Sequence, residues 1–151
     1  EEHPEALCLM AAMSLATQQA WVYMSGHGVF WNGSISEMIA FREVAKVRDY
    51  LPKDIMAWPQ ITHGGDRWRG TRVFVANGDG SLRCDHVLTN DGRFVALVYG
   101  APKSWAIPVE RSFDGEVIHP LTGERQPLSL NAGQTWNVNF ERGRIVVGKL
   151  R

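Results

Sequence analysis

The stretch Ala6–Phe30, ALCLMAAMSLATQQAWVYMSGHGVF, contains no Lys, Arg, Asp or Glu. Counting on to Ser36, 31 consecutive residues are uncharged in a chain with 16 basic and 16 acidic residues. Pro4 suits a first helical turn, where its missing N–H costs nothing, and Glu5 complements the positive N-terminal end. The run that follows to Gln19 is apolar all round, as in a buried helix. Trp21-Val22-Tyr23-Met24 has no polar alternation and reads as a buried strand, ended by Gly26 and Gly28. Both pieces need cover on two sides, so this chain is expected to dock on further layers.

Outward from that stretch, Ser34-Ile35-Ser36-Glu37 fits a capping box. An amphipathic helix is predicted from Ser34 to about Tyr50, with Ile35, Met38, Ile39, Phe41, Val44 and Val47 on one stripe and Leu51-Pro52 ending it. Helix, strand, glycine-rich loop and helix form the rhythm of an α/β protein. Residues 53–70 read as a connector containing Pro59, Gly64, Gly65 and Gly70.

From Thr71 onward short β-rich runs recur. They are Arg72–Ala76, Leu82–Thr89, Arg93–Tyr99, Trp105–Val109, Glu116–His119, Gln126–Leu130, Thr135–Phe140 and Arg144–Leu150. Turn signals separate them, among them Asn77-Gly78-Asp79-Gly80, Asn90-Asp91-Gly92, Asp114-Gly115 and Asn131-Ala132-Gly133. About eight such strands predict an antiparallel β-sandwich or small barrel. The expected class is therefore mixed α and β: a helix–strand–helix unit over 1–52, a connector over 53–70 and an antiparallel sandwich over 71–151.

Composition narrows the function. The formal net charge is zero, which argues against nucleic-acid binding through phosphate attraction. No Lys/Arg run marks a membrane patch, and neither apolar piece of Ala6–Phe30 reaches the roughly 20 residues of a membrane span. The acidic start, Glu1, Glu2 and Glu5, is unlike a signal peptide, and a first residue other than Met fits a processed product. Cys8 and Cys84 read as two buried free thiols, with no Cys/His metal spacing beside them. No metal or cofactor is expected.

The order of the two halves resembles the C-terminal end of apiosidase-like glycoside hydrolases, where a (β/α)8 barrel is followed by a small β-sandwich. The residues that carry the resemblance are Phe94-Val95-Ala96-Leu97-Val98-Tyr99 and His119-Pro120-Leu121-Thr122-Gly123-Glu124, with His119 where that family's turn has an acidic residue. The resemblance implies that the N-terminal unit closes a TIM-like barrel and that Ser25–Gly33 follows its last strand. Such barrels place chemistry at the C-terminal ends of their strands and use two carboxylates. Trp21–Trp31 contains no carboxylate, so the catalytic pair is expected outside this chain.

His27, Trp31 and Asn32 are then expected to line a polysaccharide or oligosaccharide cleft. His27 would bond a sugar hydroxyl or a catalytic carboxylate, against the plainer role of a buried, backbone-bonded histidine. Trp31 would offer a stacking platform, against loop packing; Asn32 would donate to a hydroxyl, against its role in an Asn-Gly turn. Trp105 and Trp136 fall in strand-like runs and are expected to fill the core. Asp85 and His86, adjacent on a strand, point to opposite faces and make a poor catalytic pair. The expected partners are a glycan and the missing barrel portion or a second chain, in an extracellular or periplasmic setting. Two other readings fit: a stand-alone glycan- or protein-binding module, and a structural subunit of a larger assembly.

Overall fold

The computed structural model describes residues 49–55, 62–64 and 72–151. Eight strands follow in order: β1 (Thr62–Gly64), β2 (Leu82–Leu88), β3 (Arg93–Gly100), β4 (Lys103–Pro108), β5 (Phe113–Ile118), β6 (Arg125–Leu130), β7 (Thr135–Phe140) and β8 (Gly143–Leu150). They form a six-stranded sheet in the order β1-β2-β3-β8-β5-β6 and a two-stranded sheet of β4 and β7. Every pairing is antiparallel.

This corrects the mixed α and β class. Strand accounts for 56% of the described residues and helix for 3%, with helical residues at Asp49, Tyr50 and Ile55 only. An α/β unit needs a parallel crossover, and none exists among the described strands. The runs read as the N-terminal helix–strand–helix lie outside the described residues except for Asp49 and Tyr50. β1 falls inside the stretch read as connector, which thus supplies an edge strand.

The local reasons for the strands are plain in β3. Phe94, Ala96 and Val98 face one side and Val95 and Leu97 the other, and all five are buried. The tight turn into β3 uses Gly92 at φ 89°, a conformation open to glycine without a Cβ penalty. Thr89 and Asp91 bond across that turn and Asp91 also grips Arg93.

Asp114-Gly115 is not a turn but the middle of β5. Gly115 sits opposite Gly148 of β8, which in turn pairs with Phe94. A Cβ on Gly115 would lie 2.4 Å from the Val147 carbonyl oxygen, and one on Gly148 would meet the Phe94 ring at 3.0 Å. The glycine pair therefore lets two strands and an aromatic ring approach closely. Arg72–Ala76 is also not a strand. It makes a single bridge, Phe74 to Val109, beside β4.

One face of the large sheet packs on the small sheet. Cys84, Phe94, Ala96, Val98, Phe113 and Val146 meet Trp105, Ile107, Trp136 and Phe140 in one cluster. Phe94 stands edge-on to Phe113, Phe113 to Phe74, and Phe74 tilts against Trp136 at 5.2 Å. Trp105 and Trp136 are core residues, as expected, and Cys84 is buried with them.

The opposite face is buried too. Val87, Val95, Leu97, Ile118 and Ile145 are at most 2% exposed there, although neither β4 nor β7 reaches it. Residues 49–55 cross this face. At one end the Tyr50 hydroxyl donates to the Leu121 carbonyl and the Arg125 guanidinium donates to the Asp49 and Tyr50 carbonyls. At the other end Asp54 pairs with Arg93 at the start of β3. Leu51 and Ile55, between and beyond these anchors, are buried.

Candidate functional site

His27, Trp31 and Asn32 lie outside the described residues. Among the described residues lies a cavity of about 360 Å³ lined by strands of both sheets. Its base is apolar: Val117 from β5, and Trp136 and Val138 from the inward face of β7. The rim is polar. Gln126 of β6 stands on one side and Asn137 and Asn139 of β7 on the other. Glu124 and His119, from the β5–β6 turn, and Arg144 of β8 complete it.

β7 is built for this arrangement. In Thr135–Phe140 polar residues alternate with Trp136, Val138 and Phe140, so one side enters the core and Asn137 and Asn139 stay exposed. Among the described residues the amides of Gln126, Asn137 and Asn139 make no side-chain hydrogen bond. Nor does the indole N–H of Trp136, which reaches solvent although the residue as a whole is 6% exposed: the one buried side-chain atom without a partner among the described residues is His86 Nδ1. The contrast is Trp105, whose indole N–H donates to the Ala101 carbonyl.

The turn beside the cavity is organised by His119. Its Nδ1 accepts from the N–H groups of Leu121 and Thr122 at 3.2 and 3.3 Å. Thr122 Oγ1 accepts from the Glu124 N–H, and Gly123 takes φ 70°. A ring nitrogen that accepts two backbone donors is unprotonated, which leaves the neutral imidazole with its hydrogen on Nε2. Gly123 also packs on Tyr50, whose ring a Cβ there would meet at 2.4 Å.

Chemically the cavity can donate and accept several hydrogen bonds around an apolar floor. Glu124 is the single carboxylate among its described lining residues. Glycoside hydrolysis by paired carboxylates needs two, and the described lining supplies one. No group of three or more His, Cys, Asp or Glu among the described residues is placed to hold a metal.

Asp85 and His86 do point to opposite faces. Asp85 accepts from the Tyr99 hydroxyl at 2.7 Å, and burial followed by that bond pushes the phenol's pKa up. His86 points into the core, where burial lowers its pKa to about 4. Asp79 and Asp91 serve turns, as expected; Asp114 instead lies within β5 and pairs with Arg151.

Sequence reasoning missed the cavity because Gln126, Asn137 and Arg144 meet only through the topology. The available signal was the asparagine at each outward position of Trp136–Phe140. Comparison with family models, curated proteins and solved structures finds no match to this chain.

Proposed function

We propose that the β-domain of residues 72–151 is the non-catalytic sandwich of a carbohydrate-active hydrolase, bracing the enzyme while the catalytic carboxylates lie outside this chain. The observation that carries the reading is the docking of the β5–β6 turn on Tyr50. The turn is the one whose sequence resembles the hydrolase motif. Its Leu121 carbonyl and Gly123 backbone fit the Tyr50 ring and hydroxyl, and Arg125 holds the carbonyls of Asp49 and Tyr50. The domain is thereby tied to the chain that precedes it. His119, which stands where the resembling motif has an acidic residue, accepts through Nδ1 from the Leu121 and Thr122 N–H groups.

The test uses the polypeptide carrying whatever sequence is encoded upstream of Glu1. It is assayed on a panel of glycosides, with and without Tyr50→Ala and Arg125→Ala together. The expected result is hydrolysis by both proteins at similar kcat, with a lower melting temperature for the double variant. Absence of any hydrolysis by the intact protein would sink the reading.

The second reading, a stand-alone glycan- or protein-binding module, is favoured by one feature: the polar cavity beside β7.

A further inference from the structure

We infer that the cavity between β6 and β7 is a binding subsite for a short neutral saccharide, held over Trp136 and gripped by Gln126 and Asn137. Three observations converge. A saccharide presents C–H faces and a rim of hydroxyls, and this cavity is lined by the apolar Trp136 and Val138 together with amide-bearing residues, Gln126 foremost. The amides of Gln126 and Asn137 and the Trp136 N–H have no partner among the described residues, and that N–H reaches solvent, so the donors are available without breaking a bond. The volume, about 360 Å³, lies at the small end of ligand pockets, which fits a mono- or disaccharide unit rather than a long chain.

Charge favours a neutral ligand. Glu124 and Arg144 both line the cavity, so an acidic sugar drawn by one is repelled by the other. An extended peptide is the competing occupant, since β6 and β7 are both edge strands. Pro127 argues against it: a proline within β6 removes a donor from that edge, as edge strands that resist pairing do.

The identity of the ligand as a saccharide rests in part on the hydrolase reading; the cavity itself does not. The intact chain, labelled with ¹⁵N, is titrated with cellotetraose, xylotetraose, mannotetraose, trigalacturonate and an extended hexapeptide. The readout is the Trp136 indole N–H resonance, assigned with Trp136→Phe. The expected result is a saturable shift with at least one neutral tetrasaccharide, weakened about tenfold or more in the Gln126→Ala, Asn137→Ala double variant. That factor corresponds to losing hydrogen bonds of about 1 kcal/mol each. Both positions are exposed, so the variant keeps its fold.

No shift with any neutral sugar, a shift with trigalacturonate or the peptide alone, or a shift untouched by the double variant would each overturn the inference. The two readings fail separately. Saccharide binding by a protein that proves not to be a hydrolase leaves the subsite standing. A working hydrolase whose Trp136 signal never moves removes the subsite alone.

Discussion

The backbone N–H of Phe74 donates to Nε2 of His86 at 3.2 Å, and the two rings stack with centroids 6.1 Å apart. The Val73 N–H donates to the same nitrogen at 3.2 Å. His86 is 2% exposed and its Nδ1 has no partner in hydrogen-bond geometry. One imidazole thus holds the Arg72–Ala76 segment against the core. It can do so only while neutral, because a protonated Nε2 no longer accepts.

Stability is therefore expected to fall with acid. Burial, the main cause, lowers the His86 pKa from 6.5 to about 4, the Cys84 backbone and Glu110 opposing it and the nearby Arg72 adding to it. The unfolded chain takes up the proton first. Stability from this group is complete above pH 6.5 and is lost as pH falls toward 4, by on the order of 3 kcal/mol. Asp91, held at about 2 by its bonds to Thr89 and Arg93, stays ionised through that window. Urea unfolding at pH 7.5 and 4.5 measures the loss, and His86→Gln should flatten it. An equal loss in the variant would show that other groups cause it.

Removing His86 altogether leaves two buried donors without an acceptor. His86→Ala should cost about 2–4 kcal/mol at pH 7.5, the sum of two unsatisfied groups and a cavity. Chemical denaturation compares it with the natural chain.

The glycines divide by their surroundings. Gly115→Ala places a Cβ against a backbone oxygen of β8 and should destabilise by about 1–3 kcal/mol or more. Gly78→Ala meets nothing within 4 Å and needs no positive φ, so it should stay within about 0.5 kcal/mol. Melting curves of the two variants test whether close strand approach, rather than turn geometry, explains Gly115.

Arg72 and Glu110 form a two-pronged ion pair at 2.7 Å on each prong, tying the segment that His86 holds to the end of β4. The pair is part-exposed, so Glu110→Gln should cost about 0.5–1 kcal/mol, and less at high salt. Unfolding at low and high ionic strength reads both effects.

Much of the β-domain is legible in the sequence, for local reasons. Leu82–Leu88 and Arg93–Gly100 announce themselves by apolar runs around Asn90-Asp91-Gly92, whose turn chemistry fixes their pairing. Thr135–Phe140 is legible from strict alternation. The signals fail where a residue type has two uses. Gly115 reads as a turn residue but serves a close approach between strands. Arg72–Ala76 has strand composition, yet its donors go to a histidine side chain rather than to a ladder. Thr62–Gly64 is too short to carry any pattern. The α/β expectation took its support from residues before Asp49 and assumed that their rhythm set the class. The described residues are instead almost wholly antiparallel β. The cavity was illegible because its walls are brought together by strands that cross between sheets.

If residues 72–151 brace and bind without performing chemistry, as proposed, no carboxylate within them is needed for turnover. The most direct measurement is glycoside turnover by the polypeptide carrying its upstream sequence, with Asp85, Glu110, Glu116 and Glu124 replaced one at a time by their amides. The expected kcat for each lies within about twofold of the unsubstituted protein. A drop of about a hundredfold or more in a variant that still folds, the scale of losing a general acid or base, would contradict it.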